Sequence, residues 1–212
     1  MKNLYTEDCL LTLKRDIEYD YVVTSPPDFD ELDIDTQSSS FSYEDFILSF
    51  AKELNPKGNF VTICISDRKS NGRVISKHSM VIDVFESLGY ILHTHKIWVK
   101  SKEINLYRFN YQHLLTFSRN KQKRTFVKGS QFKKDTFEVK NEKYQKYTYG
   151  MPSSIIELLV SNYTDEGDVV YDPFMGSGTT ALASVNTNRK WLGSEISEEY
   201  SQLIKDRLGV ME

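Results

Sequence analysis

Three short apolar runs restrict the fold of this chain most tightly: "DYVVTS" (20–25), "FVTICIS" (60–66) and "DVVYDPF" (168–174). They are rich in β-branched residues and lack strict apolar–polar alternation, which predicts strands buried on both faces. Between and around them, apolar residues recur at helical spacing over 42–54, 78–89 and 153–162, and further helices are expected from about Thr179 and over 197–209. Ser42 with Asp45 three residues on predicts a capped helix start, and Asn55-Pro56-Lys57-Gly58 predicts its stop. The segments 90–99 and 111–118 are expected to be a strand pair, antiparallel because their link is short, and 191–196 a last strand. Strands separated by helices predict an α/β fold with a doubly wound, mostly parallel, Rossmann-like sheet.

At 212 residues one core is the default, so residues 1–212 are expected to form a single domain. No run approaches the ~18 apolar residues of a membrane span, and the start "MKNLYTEDCL" lacks the apolar region of a signal peptide. Cys9 and Cys64 form neither a C-x-x-C pair nor a zinc spacing, and His78, His93, His95 and His113 show no ligand spacing either. A reduced, cytoplasmic protein without membrane or metal is therefore expected. The net charge of −3 is unevenly spread. Residues 18–45 carry nine acids and no base, whereas 119–146 carry ten bases against three acids. Such separation predicts a segment that faces a polyanion on an otherwise acidic body, against the plainer reading of a solvated basic loop.

The stretch "VVYDPFMGSGTT" (169–180) reads as a strand, a Gly-x-Gly turn and a helix start. Gly176 and Gly178 would let the backbone approach a ligand, and the amides opening the helix would face an anion. Glu195 ends the following strand, nineteen residues past Gly176, the usual distance for an acid that grips ribose hydroxyls. A Gly-x-Gly turn alone is weak evidence. Strand, turn, helix and acid together predict a nucleoside cofactor.

"DPFMGSGTT" followed by R-x-W-x-G-x-E-I-x-x-E-Y closely resembles the cofactor segment of the amino-methylating DNA methyltransferases, the N4-cytosine/N6-adenine group that uses S-adenosylmethionine. The resemblance implies the class I methyltransferase version of the fold and a cofactor set of Asp8, Cys9, Asp172, Phe174, Gly176, Ser177, Gly178, Thr179 and Glu195. Phe174, Gly176 and Gly178 match the family's F-x-G-x-G pattern around the methionine moiety, and Glu195 matches its ribose acid. Asp8 and Cys9 lie in "LYTEDCLLTL", which is similar to the family's adenine-bordering stretch, with Glu7 where that pattern has glycine.

Ser25-Pro26-Pro27 matches the first three positions of the family's catalytic signature, a small polar residue, Pro, Pro and an aromatic. An exocyclic amine on a base is a poor nucleophile because its lone pair is delocalised. Accepting both amine hydrogens, one at Ser25 Oγ and one at the Pro26 carbonyl, localises that pair. Proline has no N–H and a fixed φ, so its carbonyl stays in place. Orientation of this kind supplies roughly 7–11 kcal/mol in well-positioned systems. The catalytic stretch preceding the cofactor stretch is similar to the permuted order of this family, and serine first resembles the N4-cytosine enzymes more than the N6-adenine ones.

Asp28 departs from the pattern, since the family's aromatic stacks on a base extruded from the duplex. Phe29 or Tyr43 is expected to supply the ring, or Asp28 to contact the base edge or the sulfonium. The acidic stretch 28–35 is expected to form a flexible flap. The basic segment 119–149 lies where the family has its target-recognition region, so Lys121, Lys123, Arg124, Lys128, Lys133 and Lys134 are expected to bind DNA phosphates. The region is short, which leaves open a brief target, relaxed specificity, or a homodimer in which a second copy helps. The competing reading is a nucleic-acid-binding module that keeps the fold and has lost catalysis, with Asp28 as the lesion.

Overall fold

A computed structural model describes residues 3–32, 42–100, 109–119, 133–140, 142–144 and 147–209. In chain order the first part is β1 (Leu4–Tyr5), α1 (Cys9–Leu13), β2 (Tyr21–Thr24), α2 (Tyr43–Ala51) and β3 (Phe60–Ile65). A hairpin of β4 (Arg68–Ser70) and β5 (Arg73–Ile75) precedes α3 (Lys77–Ser87), and β6 (Ile91–Val99) and β7 (Tyr111–Ser118) follow. Then come β8 (Thr136–Glu138), β9 (Glu142–Tyr144) and β10 (Tyr147–Gly150). The last part is α4 (Ser153–Tyr163), β11 (Val169–Asp172), α5 (Thr179–Asn186), β12 (Lys190–Ser194) and α6 (Glu198–Leu208).

Eight strands form one sheet in the order β1-β12-β11-β2-β3-β7-β6-β8. From β1 to β3 all neighbours are parallel, while β7 is antiparallel to both β3 and β6. The expected mixed α/β sheet with an antiparallel pair is what the chain forms. Adjacent residues of the central strands point into two different cores. Tyr21 and Val23 join Phe60, Cys64, Leu114 and α4 on one face, whereas Val22 joins Val61, Ile63, α2 and α3 on the other. This double burial is why β2 and β3 read as unbroken apolar runs. Ser42 caps α2 with Asp45 in a reciprocal capping box, as the Ser-x-x-Asp pattern predicts.

Two features were not visible in the periodicity. Residues 4–5 add a short edge strand beside β12. The basic segment also contributes structure: β8 extends the main sheet beside β6, and Lys96, 3% exposed, donates from Nζ to the Lys134 carbonyl at 2.8 Å.

The sheet sets the position of the site. The chain runs from β2 to β3 on one side and from β11 to β12 on the other, so connections diverge at β2 and β11. Crevices at such switch points lie beyond the carboxyl ends of the strands, and both sequence motifs leave their strands there.

Candidate functional site

The two motifs are joined by one buried hydrogen bond. Thr24 Oγ1, at the last position of β2, donates to Asp172 Oδ1 at 2.6 Å across 148 residues of chain. Thr180 Oγ1 donates to the other Asp172 oxygen at 2.6 Å, and the Phe174 amide donates to Oδ1 at 3.0 Å. Burial pushes the Asp172 carboxyl up to about 6, with these three hydrogen bonds opposing the rise. Asp172 thus spends its oxygens on β2, on the turn after β11 and on the start of α5.

Beyond Thr24, Ser25 is exposed, Pro26 is buried and Pro27 is half-buried. Gln112, buried on β7, brings its Nε2 to 3.4 Å from Ser25 Oγ. Nothing in the spacing of the chain pointed to Gln112, because β7 reaches this place only by reversing direction beside β3. Tyr43 at the start of α2 donates its hydroxyl to the Pro27 carbonyl at 3.0 Å. Burial raises the Tyr43 pKa, so the phenol remains a neutral donor.

The structure corrects the expectation for Phe29 as a base-stacking ring. Phe29 is 5% exposed and belongs to the core, stacked on Tyr43 with ring centroids 4.7 Å apart. The Lys77 ammonium and the Arg68 guanidinium lie 5.7 Å from the Phe29 ring centroid. Tyr43, the other candidate, is 2% exposed. Asp28 is also accounted for. It caps the 3-10 turn Phe29–Glu31 in a capping box with Glu31 and receives the Lys77 ammonium at 2.9 Å, with Arg68 at 3.6 Å. Arg68 also pairs with Asp30 at 2.7 Å. Residues 28–32 thus form a capped 3-10 turn with ion pairs to Lys77 and Arg68; the rest of the expected flap, 33–35, lies outside the described residues.

On the cofactor side, Gly176 (φ 53°) and Gly178 (φ 80°) both have left-handed backbone. A Cβ on Gly178 would also stand 3.0 Å from Ile204, whereas one on Gly176 would meet only the Phe174 carbonyl at 3.9 Å. Glu195, 9% exposed, accepts from the Gly176 amide at 2.8 Å and the Ser197 amide at 2.9 Å. The two bonds use different oxygens, and the Ile196 amide is a further backbone donor to this carboxylate, so Glu195 is held by three amides beside the cofactor turn. Ser177 and Thr179 are half-buried, and Arg207 donates to the Ser177 carbonyl at 2.9 Å. Phe174 packs edge-on against Phe50.

The Glu195 amide donates to the Tyr5 carbonyl at 3.0 Å, which carries the N-terminal stretch to the same edge. Exposed Asp8 caps α1 and buried Cys9 follows it. Burial first, and the Asp8 charge second, push the Cys9 thiol up to about 12, so it stays protonated. Glu7, in the place of a glycine, turns into a local pair with Arg15 at 2.8 Å.

Of the expected DNA-binding residues, Lys133 and Lys134 are exposed beside β8. Lys121, Lys123, Arg124 and Lys128 lie outside the described residues. Arg119, counted in the basic excess, is spent on the body: it donates to the Leu54 carbonyl at 3.0 Å and covers the Tyr90 ring. Among the described residues no helix is long and apolar enough to cross a membrane.

A family model described as DNA methylase matches residues 19–206. The orphan methyltransferase M.BamHII of Bacillus amyloliquefaciens is 27% identical over 91% of this chain and 89% of its own length. The type II methyltransferase M.MjaI of Methanocaldococcus jannaschii is 26% identical over 72% of this chain and 62% of its own. Among solved structures, the M1.HpyAVI–SAM complex superposes with a TM-score of 0.74 at 26% identity, covering 99% of this chain and 100% of that one. The cytosine-N4-specific PvuII DNA methyltransferase gives a TM-score of 0.81 at 19% identity, covering 100% and 88%, a likeness of fold.

Proposed function

We propose that this chain, which belongs to the DNA methylase family, methylates the exocyclic amine of a base, with N4 of cytosine favoured over N6 of adenine. It is a DNA methyltransferase of the N6/N4 group and uses S-adenosylmethionine. The observation that carries the finer reading is Ser25 itself. Ser25 is exposed just past the end of β2, one residue beyond the bond that ties β2 to the cofactor turn.

S-adenosylmethionine supplies a methyl group on a positively charged sulfur. The chain's own work is to hold and orient. Glu195 would receive the ribose, its carboxylate oriented by the Gly176 and Ser197 amides. Phe174, Gly176, Ser177, Gly178 and Thr179 would enclose the methionine end, and Asp8 and Cys9 the adenine. Asp172 is reassigned from ligand to positioning residue, because its oxygens already bind Thr24, Thr180 and the Phe174 amide.

Ser25 Oγ has two lone pairs; one faces the Gln112 amide and one remains for an amine hydrogen. The Pro26 carbonyl takes the other hydrogen, and Tyr43 fixes the turn by holding the next carbonyl. With both hydrogens held, the amine lone pair is localised and aimed. This is catalysis by orientation and needs no covalent nucleophile. Lys133 and Lys134, with the rest of the basic segment, would hold DNA phosphates and make binding salt-dependent. Serine rather than aspartate before Pro-Pro supports cytosine over adenine. Asp28 has a structural role here, capping the turn after Pro-Pro and pairing with Lys77.

Nucleoside mass spectrometry of DNA incubated with the protein and S-adenosylmethionine is the test, with Ser25→Ala alongside. N4-methylcytosine that disappears in the variant is expected. N6-methyladenine would move the target to adenine, and no methylated product from the wild type would refute the activity.

A further inference from the structure

Near the end of β3, three residues far apart in the chain converge. Asp67 follows β3, His78 lies in the first turn of α3, and His113 lies on β7. We propose that Asp67, His78 and His113 form a binding site for a divalent transition-metal ion of the zinc class, with His95 orienting His113 from behind.

The ligand atoms of the three residues lie within 4.8 Å of one another. A tetrahedral zinc ion with bonds of roughly 2.0–2.1 Å wants its ligand atoms about 3.3–3.4 Å apart. Asp67 Oδ2 and His113 Nε2, at 3.5 Å, already have that spacing. His78 Nδ1, at 2.8 Å from both Asp67 oxygens, needs to open by about half an ångström to admit the ion. The chemistry of the set also fits, since two imidazoles and one carboxylate are common zinc ligands.

The independent sign of a missing partner is His113. It is 6% exposed, and its Nε2 is buried without a hydrogen bond. Its other ring nitrogen, Nδ1, meets His95 Nε2 at 2.8 Å. If His113 Nδ1 carries the proton and donates to His95, a bare Nε2 lone pair points at the Asp67 carboxylate. Two electron-rich atoms then face each other in a poorly solvated place, an arrangement that a cation between them resolves. A metal-bound histidine ordinarily donates its far ring N–H to an acceptor, the role His95 Nε2 would take at His113 Nδ1. The His78 and His113 rings stack at 4.1 Å with their planes 17° apart, so His78 must also swing out of the stack to aim its in-plane lone pair at the ion.

The site also bears on the catalytic turn. Asp67 immediately precedes Arg68, and His78 immediately follows Lys77, the two cations that hold Asp28. An ion bridging Asp67, His78 and His113 would fasten the ends of β3, α3 and β7 to one point and so fix both cations.

The test uses the full chain, stripped with a chelator and titrated with zinc sulfate by calorimetry, with cobalt(II) as a spectroscopic substitute. Saturable binding of one ion per chain is expected, with a rise in Tm and the visible absorption of tetrahedral cobalt. His113→Gln and His78→Gln should each weaken binding at least tenfold, whereas His93→Gln, outside the cluster, should bind like the wild type. No saturable binding by the wild type, or undiminished binding by His113→Gln, overturns the proposal. If a variant fails to fold, the cobalt spectrum of the wild type decides alone, and an octahedral or absent signal overturns it. None of these readouts depends on methyl transfer, so the metal site can fail without touching the enzymatic reading.

Discussion

The Lys77–Asp28 pair offers the most direct check on why an aspartate occupies the position after Pro-Pro. The Lys77 side chain is 4% exposed and that of Asp28 45%. At 2.9 Å, two unit charges attract by about 1.4 kcal/mol in bulk water and by about 6 kcal/mol at an effective dielectric of 20. Asp28 faces solvent and Lys77 has lost it, so the pair falls between these limits and bears a desolvation cost on one side. A coupling of about 1–3 kcal/mol follows. The perturbation is a double-mutant cycle of Lys77→Met, Asp28→Asn and the double variant, with methionine keeping most of the lysine stem. Urea unfolding followed by circular dichroism gives the stabilities, and transfer of labelled methyl groups to DNA gives kcat. Both single variants should lower kcat in parallel, because either one frees the turn that starts at Ser25. A coupling indistinguishable from zero would refute the brace. So would a variant pair in which Asp28→Asn abolishes turnover while Lys77→Met leaves it intact, since Asp28 would then be acting on the substrate.

Phe29→Ala should cost about 3–5 kcal/mol in urea unfolding, as a core deletion does, while Phe29→Leu should keep kcat within a few-fold. Loss of kcat in a fully stable Phe29→Leu protein would return the ring to the substrate. Thr24→Val removes one donor from a buried carboxylate and should cost about 1–3 kcal/mol, with kcat falling because β2 and the cofactor turn lose their tie. Asp172 binds its proton more tightly folded, at about 6, than unfolded, at 3.8, so its contribution to stability falls as pH rises from about 4 to 6. Denaturation midpoints across that window should show on the order of 2–3 kcal/mol of decline, which Asp172→Asn removes. Gly178→Ala should weaken S-adenosylmethionine binding in calorimetry and lower Tm, because φ is 80° and the new methyl meets Ile204.

The parts of this molecule that follow from local pattern were legible in the chain. β2, β3, β7, α2 and α4 lie where their apolar periodicity predicts them, and so does the Gly-x-Gly turn with Glu195 beyond it. What was not legible depends on partners distant in sequence. Phe29 looked available because it neighbours the missing aromatic, yet its fate is decided by Tyr43 and by Lys77, whose ammonium reaches Asp28 across 49 residues. Gln112 gains its meaning only because β7 runs against β3. The histidines have no ligand spacing as a list, and α3 and the antiparallel pair then bring His78, His95 and His113 into one cluster. Asp172 shares a motif with the cofactor turn, and only the fold reveals that it faces Thr24.

The pairing of β2 with β11 has a consequence for how the molecule assembles. These strands occupy the middle of the sheet, yet the bond that joins their ends spans 148 residues. During synthesis β2 can pair with β3 early, but its other edge stays open until residues 169–172 have emerged. All four residues of β2 are destined for complete burial, so in the interim the nascent chain presents an unprotected, apolar sheet edge. Long-range closure of this kind slows folding and exposes the chain to aggregation. It also delays competence: the serine that would hold the base and the turn that would hold the cofactor meet only when the last third of the chain has folded back onto the first.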